Sequence, residues 1–268
     1  TANSLQYNGA GTSLMLNGAV TVSGLLSLTT PGSVTQNTAF SAGTLDLNGA
    51  GTSYVLNAAN NFDSLTGTTG SISVSNNRAM TSIGPVTTSG ALTVNATASG
   101  STLTVADMVS ARATSLSAGM GGIVLNASVN TNGNTLTLTT TGTGSQGANG
   151  AFTAAGLSLQ GTGAYQLTSG SNSFTTLTAN TGAIDLANSG TSTSTGVVTT
   201  ANGIQLTSAG NLTIGGALTF GASSSLSSQN NITVSAAVSR SSSTGSLALN
   251  ALNRLAVAST IGTVSGAL

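Results

Sequence analysis

Cysteine, lysine, glutamate, histidine and tryptophan do not occur in this chain of 268 residues. Without His or Cys, zinc and thiol chemistry lack their usual ligands and nucleophile. Charge of either sign is scarce. Asp46, Asp63, Asp107 and Asp185 face Arg78, Arg112, Arg240 and Arg254, for a net charge of zero. Binding to nucleic acid or to an anionic membrane surface needs clustered cations, so neither partner is expected. Acid–base catalysis needs two groups close enough to push their pKa values apart. The four Asp are scattered, and none stands a multiple of twenty positions from another, so no catalytic residue, no enzyme activity and no cofactor is expected. The GGxGxD turns of calcium-binding rolls are missing too, and no metal site is expected. Membrane insertion is likewise not expected. No run of about 18 apolar residues is present, and three Tyr with five Phe are too few for the aromatic girdles of an outer-membrane barrel. Nothing at Thr1 resembles a signal peptide, and the chain reads as a mature or excised segment.

What remains is Ser, Thr, Asn and 36 Gly, interspersed with Leu, Val and Ile. Such polar chains are often disordered, but here the apolar residues are regularly placed. Residues 4–19 read SLQYNGAGTSLMLNGA, and residues 44–59 read TLDLNGAGTSYVLNAA, with ten of sixteen positions identical. Half that spacing recurs along the chain. Leu14, Val34, Tyr54, Val74 and Val94 form one series, and Leu5, Leu25, Leu45 and Leu65 another. Further on, Leu103 maps onto Ile123, Leu116 onto Leu136, Leu157 onto Leu177, Ile184 onto Ile204 and Leu212 onto Ile232. Phase shifts between these series predict corner loops of variable length, for example around 142–150. Within each unit apolar residues alternate, as in Leu45-Asp46-Leu47 and Leu136-Thr137-Leu138, the mark of strands with one buried face. Short strands recurring at that step predict an all-β chain. A parallel β-helix (β-solenoid) with about 20 residues per coil and roughly 13 coils is expected. It is continuous over residues 1–268, with no internal domain boundary.

Asn17, Asn37, Asn57 and Asn77 keep the same step, near strand ends. Asn tolerates corner conformations and stacks into hydrogen-bonded ladders, so these four are expected to form one. Asp107 and Arg112 are the only charges close in sequence and read as a solvated local ion pair. A short projecting loop or helical turn, serving as a binding protrusion, is the competing reading. Tyr7, Tyr54 and Tyr165 are candidates for sugar contact, although Tyr54 falls in an inward series. Asn95, Asn126, Asn211 and Asn231 begin N-x-S/T sequons, which arise readily by chance in this composition.

The repeat period, together with the phrases GALTVNA (90–96), GNLTIGGALTF (210–220) and NNITVSAAV (230–238), resembles the repeat region of filamentous haemagglutinin-type exoproteins. These are two-partner-secretion adhesins and related β-strand-repeat autotransporter passengers of Gram-negative bacteria, and the resemblance implies that the parallel β-helix is right-handed. No segment resembles the Asn-Pro-Asn signatures of their secretion domain, so the resemblance implies an interior piece. It also implies a secreted or cell-surface structural and adhesive protein, either an adhesin stalk or a fibre subunit of a filament or biofilm matrix. The expected partners are host-surface or matrix glycans, or further copies stacked end to end. Residues 261–268 still read as strand, with no obvious cap. An ice-binding solenoid is the alternative, although Thr-x-Thr (135–139) does not recur at the repeat step. A carbohydrate-active β-helix enzyme comes third.

Overall fold

The structure is a computed structural model that describes residues 2–11 and 13–263. Among these residues every assigned strand pairing is parallel, and the strands stack into a β-solenoid of about 13 coils spaced about 20 residues apart. The described residues contain no helix. Parallel strands lie about 4.8 Å apart, which makes a rod of roughly 60 Å.

Each coil bends at corners into three sides. Side I begins with Leu5–Asn8, Leu25–Thr29 and residues 44–48, continues through Thr102–Val105, Gly122–Leu125 and Thr143–Gln146, and reaches Leu247–Ala251. Side II runs from Ser13–Leu16 through Leu92–Ala96, Thr114–Ala118, Thr135–Thr140 and Gly156–Gln160 to Thr176–Thr181. Alternation directs every second side chain into a narrow lumen. Leu45, Leu65, Ile83, Val105 and Leu125 on side I, and Val34, Tyr54, Val74, Val94 and Leu116 on side II, have no exposed surface. The interior is thus a continuous stack of apolar side chains, each buried by the coils above and below it.

The third side is not continuous. In the first coils it comprises residues 20–22, 40–42 and 60–62, and it ends at Asn76. Side I splits at that point. Residues 64–65 stay in register with 82–83, but after a register break between Leu65 and Gly67, residues 67–69 pair with 86–88. The latter become a new third side through Val109–Ser110, Val129–Asn130 and Phe152–Thr153. This one ends at Asn188, where side II splits with a register break between Leu177 and Ala179. Residues 198–200 then start the last third side through Leu218–Phe220, Val238–Arg240 and Ile261–Thr263.

Register departs from a uniform step in places. Leu5 pairs with Leu26 and Leu26 with Leu45, so Leu26 and not Leu25 lies in the inward series. Leu116 pairs with Leu138 and not with Leu136. The series Leu14–Val34–Tyr54, Leu103–Ile123, Leu157–Leu177, Ile184–Ile204 and Leu212–Ile232 pair as expected. The stretch expected as a loop at 142–150 contains the strand Thr143–Gln146, and only the residues after it form the corner. Of the strand expected at 261–268, Ile261–Thr263 is present, and the remainder, with any cap there, lies outside the described residues.

Candidate functional site

Strand pleat sends the remaining residues of side II outward, where they form ranks. Ser73, Thr93, Ser115, Thr137, Ser158 and Thr178 are successive register partners, Ser and Thr alternating over six coils. The next rank along the strands runs Asn95, Ser117, Thr139, Gln160, Asn180, Thr199, Thr219 and Ser239. Both ranks are half-buried or exposed, and neither contains a charged residue. The Ser/Thr rank was hidden in sequence because its spacings are 20, 22, 22, 21 and 20. Corner loops of different length absorb the difference, so only the pairing register reveals it.

The expected Asn ladder is one rung long. Asn37 Nδ2 donates to Asn17 Oδ1 at 2.7 Å. Asn57 instead accepts from Ser73 Oγ, and Asn77 accepts from Thr97 Oγ1. Outside that series, Asn231 Nδ2 donates to Asn211 Oδ1 at 2.9 Å and Asn253 Nδ2 to Asn230 Oδ1 at 2.7 Å. Of the sequon residues, Asn95, Asn126 and Asn211 are exposed, and Asn231 is half-buried.

Two Asn-centred networks lie inside the rod and were not anticipated. Fully buried Asn60 accepts the Phe40 N–H at 3.0 Å and exchanges amide hydrogen bonds with Gln36. Asn76, also fully buried, accepts from Phe62 N at 3.0 Å and donates to Phe62 O at 2.7 Å and Thr81 Oγ1 at 2.8 Å. Its carboxamide therefore does for Phe62 what a neighbouring strand would do, and it satisfies the backbone where the third side stops. Phe40 and Phe62 stack beneath with ring centres 6.2 Å apart. Gln146, Asn172, Asn188, Thr193, Phe152 and Phe174 repeat the whole arrangement one side over.

The charged residues do not converge. Among the described residues no three of Asp, Glu, His or Cys come together. Asp46 accepts from Ser27, Asn48 and Thr66, and Asp107 accepts from the Met108 N–H. The ion pair expected between Asp107 and Arg112 is not formed. Instead Arg78 reaches back along the coil to Asp63, with Nη2 2.5 Å and Nε 2.8 Å from Oδ1, both side chains exposed. The 107–112 stretch is not a projection either, for Val109–Ser110 is part of the third side.

Tyr54 and Tyr165 are both core residues and are closed to an external sugar. Tyr54 Oη lies 2.7 Å from Leu28 O and from Asn48 O, and burial pushes its phenol up to about 12. Tyr165 makes the equivalent contacts with Leu138 O and Gln160 O, and deeper burial raises it further. Tyr7 is partly buried against the same core. A cleft of about 510 Å³ is lined by Phe220, Val238, Leu247, Leu249, Leu255 and Ile261, at the last described coils.

No family model matches the chain, and neither a curated protein nor a solved structure is found to be similar to it.

Proposed function

We propose that this chain is the structural and adhesive rod of a secreted bacterial surface protein, either a stalk or a fibre subunit stacking end to end. The observation that supports it most is the division of chemistry in the cross-section. An apolar stack runs along the rod, and the outward ranks of side II are uncharged, one of Ser and Thr and the next of hydroxyl and amide side chains. Such a body draws its stiffness from stacked side chains and backbone ladders, with one exposed ion pair, and among the described residues its carboxylates do not cluster. With four Arg and no Lys it also presents few trypsin sites. The resemblance to haemagglutinin-type repeats points the same way, and makes surface or matrix glycans the partners of choice.

Negative-stain electron microscopy tests the rod, and beads coated with the chain test adhesion to glycan-bearing surfaces. Uniform rods of roughly 60 Å, or end-to-end fibres of the same width, are expected from the spacing of stacked strands. Bead attachment that soluble glycan competes away is expected with them. Compact particles would remove the stalk and fibre readings alike, and beads that bind no better than albumin-coated ones would remove the adhesive one.

The register of Ser73, Thr93, Ser115, Thr137, Ser158 and Thr178 favours a second reading, an ice-binding face. Regular hydroxyls on a flat sheet can order water, although Ser at alternate coils lacks the Thr methyl. An ice-recrystallisation assay decides it. Inhibition that disappears in Thr137→Arg supports this reading, and growth of ice grains as in buffer removes it.

A further inference from the structure

The two buried networks are copies, and so are their surroundings. Residues 60–88 and 172–200 are identical at fourteen of twenty-nine positions, without a gap, at an offset of 112. The shared residues include Asn60/Asn172, Phe62/Phe174, Thr69/Thr181, Gly70/Gly182, Asn76/Asn188, Thr81/Thr193 and Gly84/Gly196. The correspondence extends upstream. Leu26 and Leu28 match Leu136 and Leu138, Gln36 matches Gln146, and Tyr54 with its two carbonyl contacts matches Tyr165 with its own. Gly49 and Gly161 both take positive φ, +138° and +94°. A Cβ would stand 2.0 Å from Thr30 O at the first and 2.2 Å from Thr140 O at the second, again equivalent residues.

Equivalent strands do not lie on the same side of the rod. Residues 64–69 belong to side I and their counterparts 176–181 to side II, whereas 72–76 belong to side II and 183–188 to side I. The first network ends a third side where side I splits, and the second ends one where side II splits. Each copy therefore hands the triangular cross-section on, turned by one side.

We infer that the rod is modular in units of five coils and one side, the offset of 112 that separates the copies. The buried Gln–Asn–Asn–Thr network with its Phe pair is the joint at which each unit passes its sides to the next. Coils in a solenoid contact only their neighbours, so two joints that present the same surfaces accept each other's continuation. The rod's length can then change by whole units, about 26 Å each at about 4.8 Å per coil, with no misfit at the junction. On the stalk reading, which this use of the module rests upon, the unit sets the reach of whatever the rod carries.

The joint carries its own control. Asp63 and Arg78, the ion pair, correspond to Thr175 and Gly190. The second joint is built without them, so the pair is not part of the joint.

The test is to lengthen and shorten the full chain in phase. One variant repeats residues 65–176 once more after Thr176. A second removes 65–176 and joins Ser64 to Leu177, which places Asn188 against Phe62. A third removes only 65–166, joining Ser64 to Leu167 half a coil out of phase. Circular dichroism, thermal melting and small-angle scattering read the outcome. The two in-phase variants are expected to keep the β spectrum and a cooperative melt, with rods about 26 Å longer and shorter than the parent. The out-of-phase variant is expected to aggregate or melt without cooperativity. If both in-phase variants fail as the third does, or if all three fold equally well, the modular inference is overturned. The stalk reading is tested separately, by electron microscopy of the parent chain, and survives either result.

Discussion

Thr195 and Thr114 each place a hydroxyl inside the apolar stack with no hydrogen-bond partner. Thr195 pairs with Leu177 and Ile214, and its counterpart in the first unit is Ile83, fully buried. A buried polar group without a partner costs about 1–3 kcal/mol. Thr195→Val keeps the shape and removes that penalty, so it is expected to raise stability by about 1 kcal/mol in urea denaturation. A loss of stability would mean that the hydroxyl has an acceptor or water in solution. Burial of Tyr54 acts at high pH. Its phenol is raised from 10.0 to about 12, so folding favours the neutral form. That contribution is fully present below pH 10, falls as pH rises because the unfolded phenol ionises first, and is lost through about pH 12. Melting temperature should therefore drop between pH 10 and about 12, and Tyr54→Phe should flatten the part of that fall due to Tyr54.

Strands and corners obey different rules. Inside a strand the alternation of apolar and polar residues is enough to tell the lumen from the surface, and Leu45-Asp46-Leu47 points as its pattern says. At the corners composition misleads. Asn17, Asn37, Asn57 and Asn77 keep a uniform step, yet only the first two are joined, and they are exposed. Asn60 and Asn76 belong to no such series and are the ones that terminate a side. A run of Asn-Asn pairs in a polar chain gives no sign of which amide turns inward, because that depends on a backbone N–H left unpaired one coil away. The consequence is measurable. Asn76→Ala strands the Phe62 amide and carbonyl and the Thr81 hydroxyl, and is expected to cost at least about 2 kcal/mol. Asn57→Ala removes one exposed contact with Ser73 and is expected to cost less than about 1 kcal/mol. Equal effects in chemical denaturation would place the ladder and the joint on the same footing and contradict the structure.

For the whole molecule, stability comes from stacked apolar columns and parallel backbone ladders, and the Asp63–Arg78 ion pair adds little. That pair is exposed, and exposed pairs contribute about 0–1 kcal/mol and are screened by salt. The melting temperature at neutral pH is therefore expected to fall by no more than a degree or two as sodium chloride is raised from about 0.05 to about 1 M. A large fall would assign the charges a part that their placement does not support.

Sequence alone determined that this protein is a parallel β-solenoid with coils of about 20 residues and a surface poor in charge. Alternation is local, and a repeated period forces each coil onto the last. Only the tertiary structure decided that Leu26 takes the inward place in the second coil, that Ser73 to Thr178 form one rank, and that the third side is built three times from different strands. Those outcomes depend on corner lengths and on which strand a backbone meets one coil away. A small shift at a corner leaves the local pattern untouched and changes every neighbour. The longer repeat, with its offset of 112, was equally present in the sequence. Its match is spread thinly over a chain in which short repeats dominate, and the two buried Asn networks are what mark it in three dimensions.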